Sequence, residues 1–199
     1  MGSEKVMDKK KDNAVKDKSF TDGTVLYTYE EAKEMLRSIE PKKFTLSDTA
    51  LILLYAQTDK PVFGRILLMK EIFLLINEIL GREKVQDANF VPYLYGMYSF
   101  TLGNVLGNLE FAGYIDRAGK PNSRLEHFTL TDRGKCLAKQ IWCKLPESTQ
   151  QEIENKRKGW DQLGVEGILR LVYEKYPEYT KDSYVKGRYK AISWGKGIG

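Results

Sequence analysis

The 199-residue chain has little of what most catalytic and redox chemistry requires: one histidine and two cysteines. A single imidazole with no companion histidine or paired cysteine argues against a zinc site. His127 also alternates with Phe128 in a strand-like run, which directs it to solvent. Two cysteines cannot build a disulfide framework. Cys136 and Cys143 fall on one expected helix, about 10.5 Å apart along its axis, too far to bridge while the helix persists. No GxxxxGK[ST], HExxH, GxSxG or spaced CxxC pair occurs, and the glycines at 195, 197 and 199 precede no helix that would make a phosphate loop. The expectation is a protein that is not an enzyme, with no metal and no cofactor.

Long apolar runs are also missing. The longest, Ala50 to Ala56, is far short of the ~20 residues a bilayer crossing needs. The first residues mix lysine with aspartate and contain no apolar stretch of the kind a secretory signal carries. These features predict a cytoplasmic protein without a membrane partner.

What the chain does have is a core and an uneven charge. Hydrophobic residues make up 42% and aromatics 12%, enough to exclude wholesale disorder. The formal charge is +5, yet residues 1–19 carry +2 and residues 179–199 carry +4, leaving −1 for the body between them. A nucleic-acid-binding domain usually gathers its basic residues on a folded face. Here they gather at the ends, which suits solvated tails as well as it suits phosphate-gripping arms.

The expected organisation is a flexible basic arm over 1–22, one domain over 23–178, and a basic aromatic tail over 179–199. Thr28 and Glu31 have capping-box spacing for a short helix that ends before Pro41. Leu46, Ala50, Leu53 and Leu54 recur at helical spacing within 45–57. Residues 65–80 carry two adjacent apolar stripes, one through Ile66, Met69, Phe73, Ile76 and Leu80, the other through Leu68, Ile72, Leu75 and Ile79. That predicts a widely buried helix with Lys70, Glu71, Asn77 and Glu78 left to solvent. Residues 90–98 read as a short extended stretch or turn, and Ser99 caps a helix to about 112 through Leu102, Val105, Leu106 and Leu109. A hairpin over 114–130 follows, with its tip near Lys120. Thr131 caps a helix to about 144. Residues 147–159 look helical but nearly all polar, and so lightly packed. Val165, Ile168, Leu169, Val172 and Tyr176 define a last amphipathic helix, whose apolar face could serve as a homodimer interface or pack inside the chain.

This order predicts an α+β, mostly α fold: a winged helix-turn-helix with additional C-terminal helices and flexible basic termini. The run PYLYGMYS (Pro92 to Ser99), then Gly113-Tyr114-Ile115, then Leu130-Thr131 with Gly134, also resembles a group of bacterial and archaeal winged-helix proteins with a PYxYGPYS motif that includes the Panacea-type antitoxin domain. At one position the chain departs from that pattern, with Met97 where the group has proline. The resemblance implies a regulatory or antitoxin-like module and implies no catalytic residues.

The leading expectation is a transcriptional regulator that binds double-stranded DNA, with helix 99–112 in the major groove and wing 114–130 on the backbone. Ser99, Thr101, Asn104 and Asn108 would read or position the duplex, since an asparagine amide can bond adenine through two atoms. Arg117, Lys120 and Arg124 on the wing and Lys186, Arg188 and Lys190 in the tail would hold phosphates. Yet helix 99–112 contains no lysine or arginine. Gly103 and Gly107 form a small-residue face that could instead receive a protein partner, making the chain an antitoxin-like or adaptor module, or that could pack inside the chain. Tyr93, Tyr95 and Tyr98 could stack on bases but more simply pack as half-buried rings.

Overall fold

A computed structural model describes residues 27–38, 43–121, 123, 125–181 and 183. The chain divides into two units, residues 1–41 and 42–199. In the first, helix α1 (Tyr29–Ser38) begins at the expected capping box: Thr28 N–H donates to Glu31 at 2.8 Å, and Glu31 N–H donates to the Thr28 hydroxyl at 3.3 Å.

The second unit starts with α2 (Leu46–Tyr55), two residues shorter at its C-terminal end than the periodicity predicts. Its capping box is Thr45 with Asp48, the two bonds measuring 3.0 and 2.8 Å. Strand β1 (Val62–Phe63) leads into α3 (Arg65–Leu75), which widens into a π-helical turn over Ile76–Leu80. Gly81, at φ 89°, ends it, with its N–H on the Ile76 carbonyl. The PYLYGMYS stretch is a hairpin of β2 (Val91–Tyr93) and β3 (Gly96–Tyr98), with Pro92 opposite Met97. Helix α4 (Phe100–Phe111) follows directly. Then come β4 (Ile115–Ala118) and β5 (His127–Leu130), which form the expected hairpin. Strand β5 also takes β1 on its other edge, giving a three-stranded antiparallel sheet in the order β1-β5-β4. Helix α5 (Asp132–Trp142) starts at Thr131, whose hydroxyl accepts from Gly134 N–H at 2.9 Å. Among the described residues the fold is α+β and mostly helical, with six helices and two small antiparallel sheets.

The C-terminal part departs from expectation. Residues 147–159 and 165–176 run as one bent element, α6 (Glu147–Lys175), broken at Gly164 with φ 60° and ψ −171°. An L-residue is strongly disfavoured in that backbone region. The polar first half is not lightly packed: Ile153, Arg157 and Trp160 are all buried. On α3, Lys70 and Glu71 are buried rather than solvated, at 2% and 0% exposure, with Glu71 facing Arg157 of α6 and Lys70 facing the Met97 carbonyl of β3. The helical stripes of α3 account for its neighbours on one side only, and α6 closes the other. In the second half, Ile168, Leu169 and Val172 are buried in the chain's own core and Val165 is exposed. Of the two uses open to that half, homodimer interface or internal packing, the apolar face takes internal packing. A short 3₁₀ turn (Pro177–Tyr179) follows, with the Tyr179 ring 5.3 Å from Phe73 and Thr180 buried, so the tail expected from residue 179 begins as packed structure.

Candidate interaction surface

Helix α4 is held from three sides. Ser99 caps it: its hydroxyl accepts from Leu102 N–H at 2.9 Å and donates to the Ala88 carbonyl. Ser99 is fully buried, so it serves the fold and cannot touch a nucleic acid, contrary to expectation. Just before it, the buried Lys70 ammonium donates to the Met97 carbonyl, tying α3 to β3. Burial holds that amine well below its usual value, at about 7. At the far end, Arg133 of α5 donates to the Ala112 carbonyl at 3.1 Å and lies over the Tyr114 ring, 4.5 Å from its centre. Leu102, Leu106 and Leu109 face the core.

The outward face is what remains. Asn104, Gly107, Asn108 and Glu110 are exposed and Thr101 is half-buried. A side chain at Gly107 would meet nothing within 4 Å, whereas at Gly103 it would approach the Tyr98 hydroxyl at 3.2 Å. The glycine face is thus open at Gly107 and not used for internal packing there. Two residues outside the expected site dominate it: Phe111 is 96% exposed and Phe100 56%. Phe100 packs edge-on against Tyr93 and Tyr98, with centroids 5.4 and 4.9 Å away. Tyr93 and Tyr98 are themselves 5.4 Å apart. The three rings fill one another's space, so they make a knob and not an open platform for stacked bases. The signal that could have found Phe100 and Phe111 is their spacing from Asn104 and Asn108, which places all four on one side of a helix.

The wing supplies less positive charge than its composition suggests. Arg117 is bound to the buried Glu126, Nε and Nη2 each at 2.6 Å from one carboxylate oxygen, and its guanidinium lies 5.9 Å from the Phe128 ring centre. An arginine so engaged must break a hydrogen-bonded pair before it can hold a phosphate. Lys120 is exposed at the tip as expected. Arg124, Lys186, Arg188 and Lys190 lie outside the described residues. His127 is half-buried, with Nδ1 3.0 Å from the Leu125 carbonyl and its ring against Phe63. Both cysteines are exposed and free.

Among the described residues, no group of three or more His, Cys, Asp or Glu is placed to hold a metal ion, and no helix is long and apolar enough to cross a membrane. Neither protein-family models nor curated proteins give a match to the chain.

Proposed function

We propose that residues 46–130 form a winged helix whose α4 face binds protein, making the chain a non-catalytic, cytoplasmic interaction module of the antitoxin-like or adaptor kind. Support for the winged helix comes from the order α2, β1, α3, α4, β4, β5 and from the sheet order β1-β5-β4, which places the wing beside the strand that precedes α3. The observation that carries the binding reading is the outward face of α4: two exposed phenylalanines, two asparagines, an open glycine and no cation. Exposed aromatic rings around an uncharged centre are the composition of a protein interface core. A DNA-reading helix would have to approach phosphates with Glu110 and without a single lysine or arginine.

The test is a photo-crosslinking phenylalanine analogue in place of Asn108, irradiated in the native cell. Adducts that survive nuclease and vanish on Phe111→Ser support the reading. Nuclease-sensitive adducts, or none above a control at exposed Glu152, overturn it.

One observation favours a second reading, duplex DNA as partner: the Asn104 and Asn108 side chains stand exposed one helical turn apart. That reading requires duplex affinity to fall steeply with salt, with a logarithmic slope of about −0.9 per phosphate neutralised. Absent or salt-insensitive binding at low ionic strength removes it.

A further inference from the structure

We infer that the occupant of the α4 face is a second copy of this chain, docked antiparallel about a two-fold axis that passes midway between Val105 and Leu106. The inference rests on the reading of this face as a protein-binding surface, and it names the partner.

At 3.6 residues per turn, Phe100, Asn104, Gly107, Asn108 and Phe111 fall within an arc of about 100°. Their order is self-complementary. The helix reads FTLGNVLGNLEF. Reversed, it again begins and ends in phenylalanine, and each Gly-Asn pair becomes Asn-Gly. Antiparallel pairing about that axis sets Phe100 against Phe111 of the partner subunit, and Asn104 against Gly107 of the partner subunit. Each protruding amide then meets a position with no side chain, and each ring meets a ring. An isologous interface needs this property, because one patch must fit itself.

Charge and area agree with that occupant. The five stripe residues are uncharged, so the face meets its own image without like-charge repulsion. It also offers nothing complementary to a strongly acidic or basic partner. A phenylalanine side chain buries about 150–250 Å². At 96% and 56% exposure, the two rings offer about 300 Å² per copy. With the asparagine and glycine positions, the interface buries roughly 1,000 Å² in total, the lower end for a specific contact. The dimer is accordingly a weak, concentration-dependent one.

Sedimentation equilibrium of the full chain tests this, from about 1 μM to about 1 mM, a range that spans weak association. The mass should rise from monomer toward dimer. Phe111→Ser should weaken the association at least tenfold with an unchanged circular dichroism spectrum, since a ring this exposed contributes little to folding. In a Cys136→Ser, Cys143→Ser background, chains carrying Asn104→Cys mixed with chains carrying Gly107→Cys should give the mixed disulfide-linked dimer under copper–phenanthroline oxidation, each bond formed with loss of two thiol protons and two electrons to the oxidant. The pair Thr101→Cys with Asn104→Cys, out of register, should not. A monomer throughout the range, an association indifferent to Phe111→Ser, or equal cross-linking of both cysteine pairs overturns the inference. If a monomeric chain still photo-crosslinks through residue 108 to a different protein, only the second copy falls. If neither partner is captured, the interaction reading falls with it.

Discussion

The Arg157 Nε stands 3.3 Å from the Glu71 carboxylate, and the two side chains are exposed by only 1% and 0%. Asp161, one turn along α6, takes the Arg157 Nη1. This ionic group lies where α3 meets α6. Burial pushes the Glu71 carboxyl up to about 7, against the opposing pull of Arg157, and burial also lowers the Arg157 pKa. Desolvation therefore outweighs the attraction for the carboxylate. Breaking such a pair from one side strands a buried charge and costs about 3–5 kcal/mol, whereas replacing both partners with apolar groups is often neutral. Arg157→Met should therefore lower the urea-unfolding free energy by that amount at pH 8, and adding Glu71→Leu should recover most of it. A double variant no more stable than the single one would show that the ions themselves hold the two helices.

Lys70 and Glu71 are adjacent in sequence but shift in ways that give opposite pH slopes. The Lys70 pKa falls from 10.5 to about 7 in the fold. Between those values the unfolded chain binds the extra proton, so stability rises with pH from about 7 upward. The Glu71 pKa rises from 4.5 to about 7. In that window the folded chain holds the proton, so stability falls as pH rises from about 4.5 to about 7. Each slope is at most about 1.4 kcal/mol per pH unit, and the two contributions together have their minimum near neutrality. Comparison with Lys70→Met isolates one limb from the chain's other titrations. The stability difference between the native chain and Lys70→Met should move in the native chain's favour between pH 7 and pH 10. A constant difference would mean that the buried amine does not change charge.

How much of this was legible depends on how far apart the cooperating residues lie. Thr28, Ser99 and Thr131 stand at the starts of helices as the spacing predicts, because a cap is a contact within three residues and a sequence displays such contacts directly. The hairpin at 114–130 and the stop at Gly81 are similarly local. A helical wheel of α3 alone assigns Lys70 and Glu71 to water, because the partner of Glu71 is Arg157 on α6 and that of Lys70 is the Met97 carbonyl of β3, both distant in sequence. Arg157 was hidden in a polar-looking segment for the same reason. In the candidate site, Asn104, Asn108 and Lys120 stand exposed as the spacing predicts. Ser99 could cap the helix or face outward, not both, and capping took it. The composition sets Glu126 against the wing's cations as a group, and only the pairing of β4 with β5 assigns it to Arg117 in particular.

A second carboxylate, Glu78, joins the two halves of α6. It lies 3.3 Å from Lys156 before the bend at Gly164 and 2.8 Å from Lys175 after it. Here both lysines are more than 40% exposed, so solvent screens the attraction. The hydrogen bond to Glu78 is the leading reason that the Lys175 pKa is raised. Glu78→Gln should cost less than about 1 kcal/mol, and the cost should shrink as salt rises. A loss as large as that of Arg157→Met, unaffected by 0.5 M salt (roughly a 4 Å screening length), would show that Glu78 acts as a buried group.

Two helical glycines should respond to alanine in opposite directions. A Cβ at Gly134 would sit 1.8 Å from the Tyr114 carbonyl oxygen, which already accepts from Thr131 N–H at 3.1 Å. That neighbour is backbone in the sheet-to-helix junction, and it cannot yield without moving β4 or α5. Gly134→Ala should therefore destabilise by about 3 kcal/mol or more. At Gly107 a Cβ meets nothing within 4 Å, and the backbone is helical, so alanine gains up to about 1 kcal/mol of helix propensity. Gly107→Ala should raise the melting temperature while weakening self-association, because the added methyl occupies the space that Asn104 of the partner subunit would fill. Stability and association moving together in this variant would mean that the open glycine is not part of the contact.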